Sequence, residues 1–369
     1  MSGQLGTGEL VSGGTVAPHL RDLAELEATL ERWLAERMPQ ARDLKITDFT
    51  YPKGAGLSHE TILFDAAWTE DGVAKSRGMV IRIKPIEHTV YQDDMFVEQY
   101  ELMRAVHRLG ATPVAEPYWI EHDANVVGAP FFVMEKKHGR VPVSFPPYSR
   151  EGWMTELSTG QREKLWENAI RALAGIQKLP VAEARFLEPT GRFPDGFEQE
   201  WDRWDRYFAW AKDGRDFPFL EDIWARLGAS RPTARQPGIV WGDSRIGNVM
   251  FDADMKVAAV MDWEQPSLGG ALHDLGWWTL CARLESTQQG LPRLAGMGTR
   301  EETIALWGEA SGIDTSDIEW YERFAAFKLS CLAIRTAELR GVNRPGMNAI
   351  DNPPVRVLAE WYGLESPKP

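Results

Sequence analysis

The sequence predicts an α+β fold: an antiparallel sheet with helices, followed by a longer, mainly helical region that contains one β-hairpin. Three observations lead there. Between residues 48 and 134, short runs rich in branched and aromatic residues are separated by turn residues, as half-buried strands are. Beyond residue 150, apolar residues recur mostly at helical spacing. The exception is the pair Val249-Met250-Phe251 and Val257-Ala258-Ala259-Val260-Met261, joined by the turn-forming Asp252-Ala253-Asp254.

Residues 1–17, rich in Gly, Ser and Thr and without apolar period, are expected to form a mobile arm. Leu20, Leu23, Leu26, Leu30, Trp33 and Leu34 repeat at three to four residues and predict an amphipathic helix over 19–37. Asp48 to Tyr51 begins a strand, and Thr61 to Trp68 and Met79 to Ile83 form two more, with Glu70-Asp71-Gly72 turning between them. Phe96 to Leu109 reads as a helix stopped by Gly110, and Tyr118 to Ile120 and Phe131 to Met134 as further strands. The polar, proline-rich piece Val141 to Arg150 then separates the two regions. The expected organisation is a 1–17 arm, an 18–138 sheet-bearing domain and a 139–369 helical domain, with no internal repeat.

A chain of 369 residues is comfortable for two cores, and 43% hydrophobic with 26% charged residues is ordinary globular composition. No apolar run approaches the roughly 20 residues that span a membrane, and the N-terminus has no signal-peptide pattern. Two cysteines, Cys281 and Cys331, are too few for a disulfide framework and read as buried thiols of a cytoplasmic protein. A net charge of −13 argues against nonspecific nucleic-acid binding and suits a cationic small-molecule partner.

The chemistry concentrates in Val240-Trp241-Gly242-Asp243-Ser244-Arg245-Ile246-Gly247-Asn248 and in Asp262-Trp263-Glu264. Gly238 to Trp241 reads as a short buried strand that Gly242 breaks. If the two runs that follow form a hairpin, Asn248 and Asp262 fall opposite each other at its open end, with Asp243 on the loop that enters it. One carboxylate can then orient an attacking hydroxyl, while an amide oxygen and a second carboxylate offer the oxygen ligands that Mg²⁺ prefers. Any one of these residues alone would more often cap a turn or end a strand. All three at this spacing point to phosphoryl transfer.

At these residues the chain resembles the aminoglycoside phosphotransferase-like (APH/choline kinase-type) family, which has the protein-kinase-like two-lobe fold. The family pattern is His-Gly-Asp, four residues, Asn, then a strand ending in Asp-Trp-Glu. The wording Asp-Ser-Arg-Ile-Gly-Asn is nearest to the branch related to the kinase-like domain of acyl-CoA dehydrogenase fusion proteins. The resemblance runs roughly over residues 45–340 and is strongest over 238–280. It implies that Asp243 is the catalytic Asp, that Asn248 and Asp262 bind the metal, and that ATP and Mg²⁺ are used. Trp241 departs from the family His, which is largely structural. Gly269-Gly270-Ala271 departs from the family Gly-Asp-Pro, and Asp274 after it is expected to cap a helix and tie down the catalytic loop.

The same resemblance gives the small lobe the nucleotide contacts. Gly54 and Gly56 would let backbone amides approach phosphates, with Ser58 adding a hydroxyl donor, although a lone Gly-x-Gly also suits a plain hairpin loop. Arg82 matches the strand cation that pairs with phosphates, and Lys84 points to the same face two residues later. Glu98, or Glu101 one turn on, would orient that cation, and backbone near Met134, Glu135 and Lys136 would meet the adenine.

The acceptor is expected to be a hydroxyl-bearing small molecule, for which an aminoglycoside is the first suggestion. Hydroxyacyl thioesters, sugars, amino alcohols and macrolides are compatible. Sixteen tryptophans are an excess. Trp201, Trp204, Tyr207 and Phe208 at helical spacing suit a helix core or, alternatively, an aromatic acceptor pocket flanked by Asp202 and Asp205. Two rivals remain: a catalytically silent kinase-like module that binds nucleotide or ligand, and a metal-dependent hydrolase. The hydrolase would need more ligands near the hairpin than the single His273.

Overall fold

The computed structural model describes residues 21–52, 60–85, 90–144, 146–188, 190–341 and 347–368. The expected arm at 1–17 and the loop residues Gly54, Gly56 and Ser58 lie outside the described residues. The chain divides into two compact units, one of Met1–Thr89 with Trp119–Lys136 and the other of Val90–Tyr118 with Lys137–Pro369.

The first unit carries helix α1 (Leu23–Arg37) and strands β1 (Arg42–Thr50), β2 (Glu60–Glu70) and β3 (Val73–Ile83). Asp22 caps α1 by accepting from the Ala24 and Glu25 amides, and Leu26, Leu30, Trp33 and Leu34 form its buried stripe. Along β2 the side chains of Ile62, Phe64, Ala66 and Trp68 are buried at every second position, which is the pleat at work. The β2–β3 turn has Asp71 at φ 52° and Gly72 at φ 75°, the two left-handed residues that a tight hairpin needs. β1 starts six residues before the expected Asp48, because Asp48 (φ 54°) sits at an irregularity inside the strand and does not open it. Helix α2 (Phe96–Leu109), ended as expected by Gly110 at φ 62°, groups with the second unit. β4 (Pro117–Glu121) and β5 (Phe131–Glu135) complete a sheet of order β1-β2-β3-β5-β4. The Trp33 indole donates to Glu121 at 2.8 Å and packs its ring 4.8 Å from that of Phe131, which fastens α1 to the sheet.

The second unit continues with α3 (Trp153–Glu156), α4 (Thr159–Gly175), α5 (Gly196–Lys212) and α6 (Pro218–Ala229). The hairpin β6 (Val249–Phe251) and β7 (Val257–Val260) follows, then α7 (Leu272–Leu284), α8 (Arg300–Ser311), α9 (Ile318–Arg340) and α10 (Pro353–Tyr362). The aromatic excess goes to packing here. Trp204, Tyr207 and Phe208 are buried, and Trp201 stacks on Trp224 with ring centres 3.7 Å apart and planes within 10°. Asp202 accepts from Arg192 and Arg206, and Asp205 from the Trp224 indole, so both aspartates of α5 are committed to structural partners. Cys281 and Cys331 are buried free thiols, as expected. Among the described residues, no helix is long and apolar enough to cross a membrane.

The stretch 238–241 differs from its expectation. It makes only isolated bridges, Gly238 to Gly269 and Val240 to Ser267, and forms no named strand. The physical reason lies one element away: the Asp274 carboxylate, not a neighbouring strand, takes the amides that end this stretch.

Candidate active site

The hairpin folds as its residues dictate. Asp252 Oδ1 accepts from the amides of Asp254 and Lys256, both at 2.9 Å, and so folds the turn locally. At the other end the Met261 amide donates to the Asn248 carbonyl at 2.9 Å, which leaves Asp262 one residue beyond the pairing. Asp262 has φ 60°, a left-handed conformation that Asp tolerates better than most residues and that turns its backbone out of strand geometry.

The loop before the hairpin is held from beneath. Asp274, in the first turn of α7, accepts from the Trp241 amide at 2.6 Å and the Gly242 amide at 2.9 Å, and the Ser244 hydroxyl donates to the Asp274 carbonyl at 2.7 Å. Asp274 is thus the tie for the loop that the sequence suggests, but it caps no helix, since Ala271 is the N-cap of α7. Burial pushes the Asp274 carboxyl up to about 6, against the pull of the two amides. Gly242 has φ 108°, and a Cβ there would lie 2.5 Å from the Gln265 carbonyl oxygen, so this position takes only glycine.

Trp241, in place of the family His, is fully buried. Its indole N–H donates to the carbonyls of Met261 at 2.8 Å and Asp262 at 3.1 Å, so it pins the segment that carries the second Asp. Trp241 therefore makes a hydrogen-bonded connection between the loop and the end of the hairpin.

Asp243 stands amid donors. Its Oδ2 accepts from Asn248 Nδ2 at 2.7 Å and Arg245 Nε at 3.1 Å, and its Oδ1 accepts from Trp277 Nε1 at 3.1 Å. Asn248 Nδ2 also donates to the Asp243 carbonyl at 2.9 Å. Arg245 in turn donates to the Ser144 hydroxyl and lies 3.9 Å from Glu285. Burial works against the Arg245 charge, but Asp243 and Glu285 outweigh it and hold its pKa above the ordinary value. Burial also raises the Glu285 carboxyl to about 7, even beside Arg245. The phenol of half-buried Tyr91 is pushed well up, first by burial and then by the carboxylates of Glu264, Asp243 and Asp262.

The structure thus brings Asp243 and Asn248 into direct contact and fastens the Asp262 segment to the same loop. With Nδ2 committed to Asp243, Asn248 offers Oδ1 as its ligating atom. Among the described residues, no cluster of three or more His, Cys, Asp or Glu side chains is arranged to hold a metal. An Asn oxygen with one carboxylate is instead a donor set that fits Mg²⁺ arriving with substrate phosphates, because that ion keeps waters and takes few protein ligands. Arg82 pairs across the sheet with Thr61 and Phe132, and Met134 and Glu135 face Val80 and Met79 on the adjoining strand, so these three lie on neighbouring strands of the first unit. Glu98 lies in the first turn of α2 in the second unit, and Glu101 pairs with Arg104 at 3.1 Å. Sequence reasoning missed Arg245, Trp277, Glu285 and Tyr91. For Arg245 the signal was its place two residues after Asp243; the other three reach the site only through the fold.

The chain is similar to known proteins in sequence and in fold. A sequence profile described as "Phosphotransferase enzyme family" matches residues 63–312. Acyl-CoA dehydrogenase family member 11 of Mus musculus is 24% identical over 323 residues, which is 85% of this chain and 39% of that protein. This chain therefore spans about two-fifths of the length of that relative. The solved structure of a protein named as a candidate aminoglycoside phosphotransferase from Ralstonia eutropha has a TM-score of 0.64 at 22% identity, covering 86% of this chain and 90% of that one. Amicoumacin kinase hAmiN, solved with AMP-PNP, Ca²⁺ and Ami, has a TM-score of 0.53 at 13% identity and covers 92% of this chain and 94% of its own. The fold is the protein-kinase-like fold of these neighbours.

Proposed function

Because the chain belongs to the phosphotransferase enzyme family, we propose that it moves the γ-phosphoryl group of ATP to a hydroxyl of a small molecule. The observation that carries this reading is the 2.7 Å contact between Asn248 Nδ2 and Asp243 Oδ2, which commits the amide nitrogen to the carboxylate and leaves Asn248 Oδ1 as the ligating atom. Asp243 orients the acceptor hydroxyl and accepts its proton as the new O–P bond forms, and ADP leaves with the electrons of the bond that breaks. Asn248 Oδ1 and the Asp262 carboxylate are the residues that would hold Mg²⁺, whose chemistry there is to offset phosphate charge. Arg82 and the segment of Gly54, Gly56 and Ser58 would steady the phosphates, Glu98 would orient Arg82, and backbone at Met134 and Glu135 would meet the adenine. Most of the acceleration would come from positioning and fixed charge, with no covalent intermediate on the protein.

The acceptor belongs to the hydroxyl-bearing small molecules. The solved neighbours carry the names of an aminoglycoside phosphotransferase and an amicoumacin kinase, and the relative is named an acyl-CoA dehydrogenase, so cationic aminoglycosides and hydroxyacyl thioesters head the test panel. An ATP-using enzyme of this kind fits the cytoplasm, and neither nucleic acid nor a membrane is part of the reading. The test is a Mg–ATP phosphotransfer assay over aminoglycosides, hydroxyacyl thioesters and small alcohols, comparing wild type with Asp243→Ala. The substitution should lower kcat by roughly 10²–10⁴-fold while ATP still binds. Equal transfer by both proteins would sink the proposal.

A further inference from the structure

We infer that Trp277 is a positioning residue for the reaction: its indole N–H fixes Asp243 Oδ1, and a buried ion pair behind the ring fixes the indole. The inference rests on the reading of Asp243 as the catalytic base and adds a residue to it.

Asp243 has two oxygens with different surroundings. Oδ2 takes both Asn248 and Arg245, while Oδ1 takes the Trp277 N–H as its one donor from this set, at 3.1 Å. An acceptor hydroxyl must donate its hydrogen bond to this carboxylate, and Oδ1 has the lone-pair capacity left for it. The direction of that capacity depends on where Trp277 holds the oxygen.

Trp277 is built to stay in place. It is 3% exposed on α7, three residues after Asp274, the residue that ties down the catalytic loop. The Lys328 ammonium, itself 2% exposed, lies 5.3 Å from the ring centres of Trp277, Trp204 and Phe324 alike. Lys328 pairs with buried Glu200 at 3.2 Å, and Glu200 also accepts from the Trp204 indole at 2.9 Å. A cation on the face of an indole draws electron density from the ring and makes its N–H a better donor. Charges taken out of water in this way are costly to bury, and a well-packed apolar cluster would serve stability as well. One of the three rings around this ammonium, Trp277, donates to Asp243, and that gives the pair a use.

The test replaces Trp277 with β-(3-benzothienyl)alanine, which keeps the ring shape and removes the N–H, beside Trp277→Phe and Asp243→Asn. The readouts are phosphate release to water from Mg–ATP and transfer to the alcohol panel. The isostere should lower kcat by about tenfold to a hundredfold, the scale of one hydrogen bond to a charged group. The KM for ATP should stay within about twofold, the split expected when only the transition state loses a contact. In protein labelled with ¹⁵N at tryptophan, the indole resonance absent from Trp277→Phe should shift in Asp243→Asn. An isostere with wild-type kcat, while Asp243→Asn is inactive, overturns this inference and leaves the reading of the site intact. Wild-type turnover in Asp243→Asn, or no turnover by wild type on water or any alcohol, overturns both.

Discussion

The sheet of the first unit and the Asp243 loop of the second hold their polar side chains by different means. Arg82 is placed by register: it sits between Thr61 and Phe132 in ladders whose buried faces, Ile62, Phe64 and Ile81 among them, allow no one-residue slip. Asp243 is placed by polar contacts from residues far along the chain. Asp274 holds the backbone two residues before it, Trp277 holds its carboxylate, and Trp241 ties its loop to Asp262. A ladder spreads its energy over many weak, repeated contacts, so one defect is shared among neighbours. A loop fixed by a few hydrogen bonds to buried groups has no such reserve, and each lost partner leaves an unsatisfied group behind.

Substitutions can break this contrast or sharpen it. The largest effect is expected from Gly242→Ala, which combines a left-handed φ with a 2.5 Å clash against the Gln265 carbonyl. It should cost at least about 2 kcal/mol and abolish turnover; a variant with wild-type melting temperature and activity would show that the loop yields more easily than its contacts imply. Asp274→Asn comes next. It turns one acceptor into a donor that faces a backbone N–H, at a cost of about 1–3 kcal/mol by chemical denaturation.

That cost should depend on pH in a definite direction. Burial raises the Asp274 carboxyl from an ordinary 3.8 to about 6, so this group adds stability that is fully present below about 3.8 and is lost as pH rises through about 6. The asparagine does not titrate, so the variant's deficit should be larger at pH 5 than at pH 8. A deficit that grows toward pH 8 would refute the assignment. The smallest effect is expected in the sheet: Gly72→Ala at φ 75°, with open space around it, should cost about 1 kcal/mol by thermal melting and leave phosphotransfer unchanged.

The same contrast sets how much was legible in the amino acids. Periodicity reports what a residue's own neighbours do, so α2 and its Gly110 stop, the β2–β3 turn at Asp71-Gly72 and the β6–β7 hairpin could all be read from the chain. The spacing of Asp243 and Asn248 was legible for the same reason, since five residues fold back over one short loop. Trp277 was not, because 34 residues separate it from Asp243 and nothing local marks an indole as a donor to a carboxylate. The stretch 238–241 misled because it has the composition of a strand, yet its last amides go to a side chain on α7. At Trp241 the departure from the family pattern was visible, but the two carbonyls it holds were not.

The left-handed backbone of Asp262 carries one more consequence. Such a φ is comfortable for glycine, tolerable for asparagine and aspartate, and poor for most other residues. Both alternatives stand one nucleotide change from an aspartate codon, and neither supplies a carboxylate. On the proposed reading of Asp262 as a metal ligand, a single mutational step would therefore take this chain from a catalyst toward a silent ligand-binding protein without disturbing its backbone, and position 262 is where such a divergence would begin.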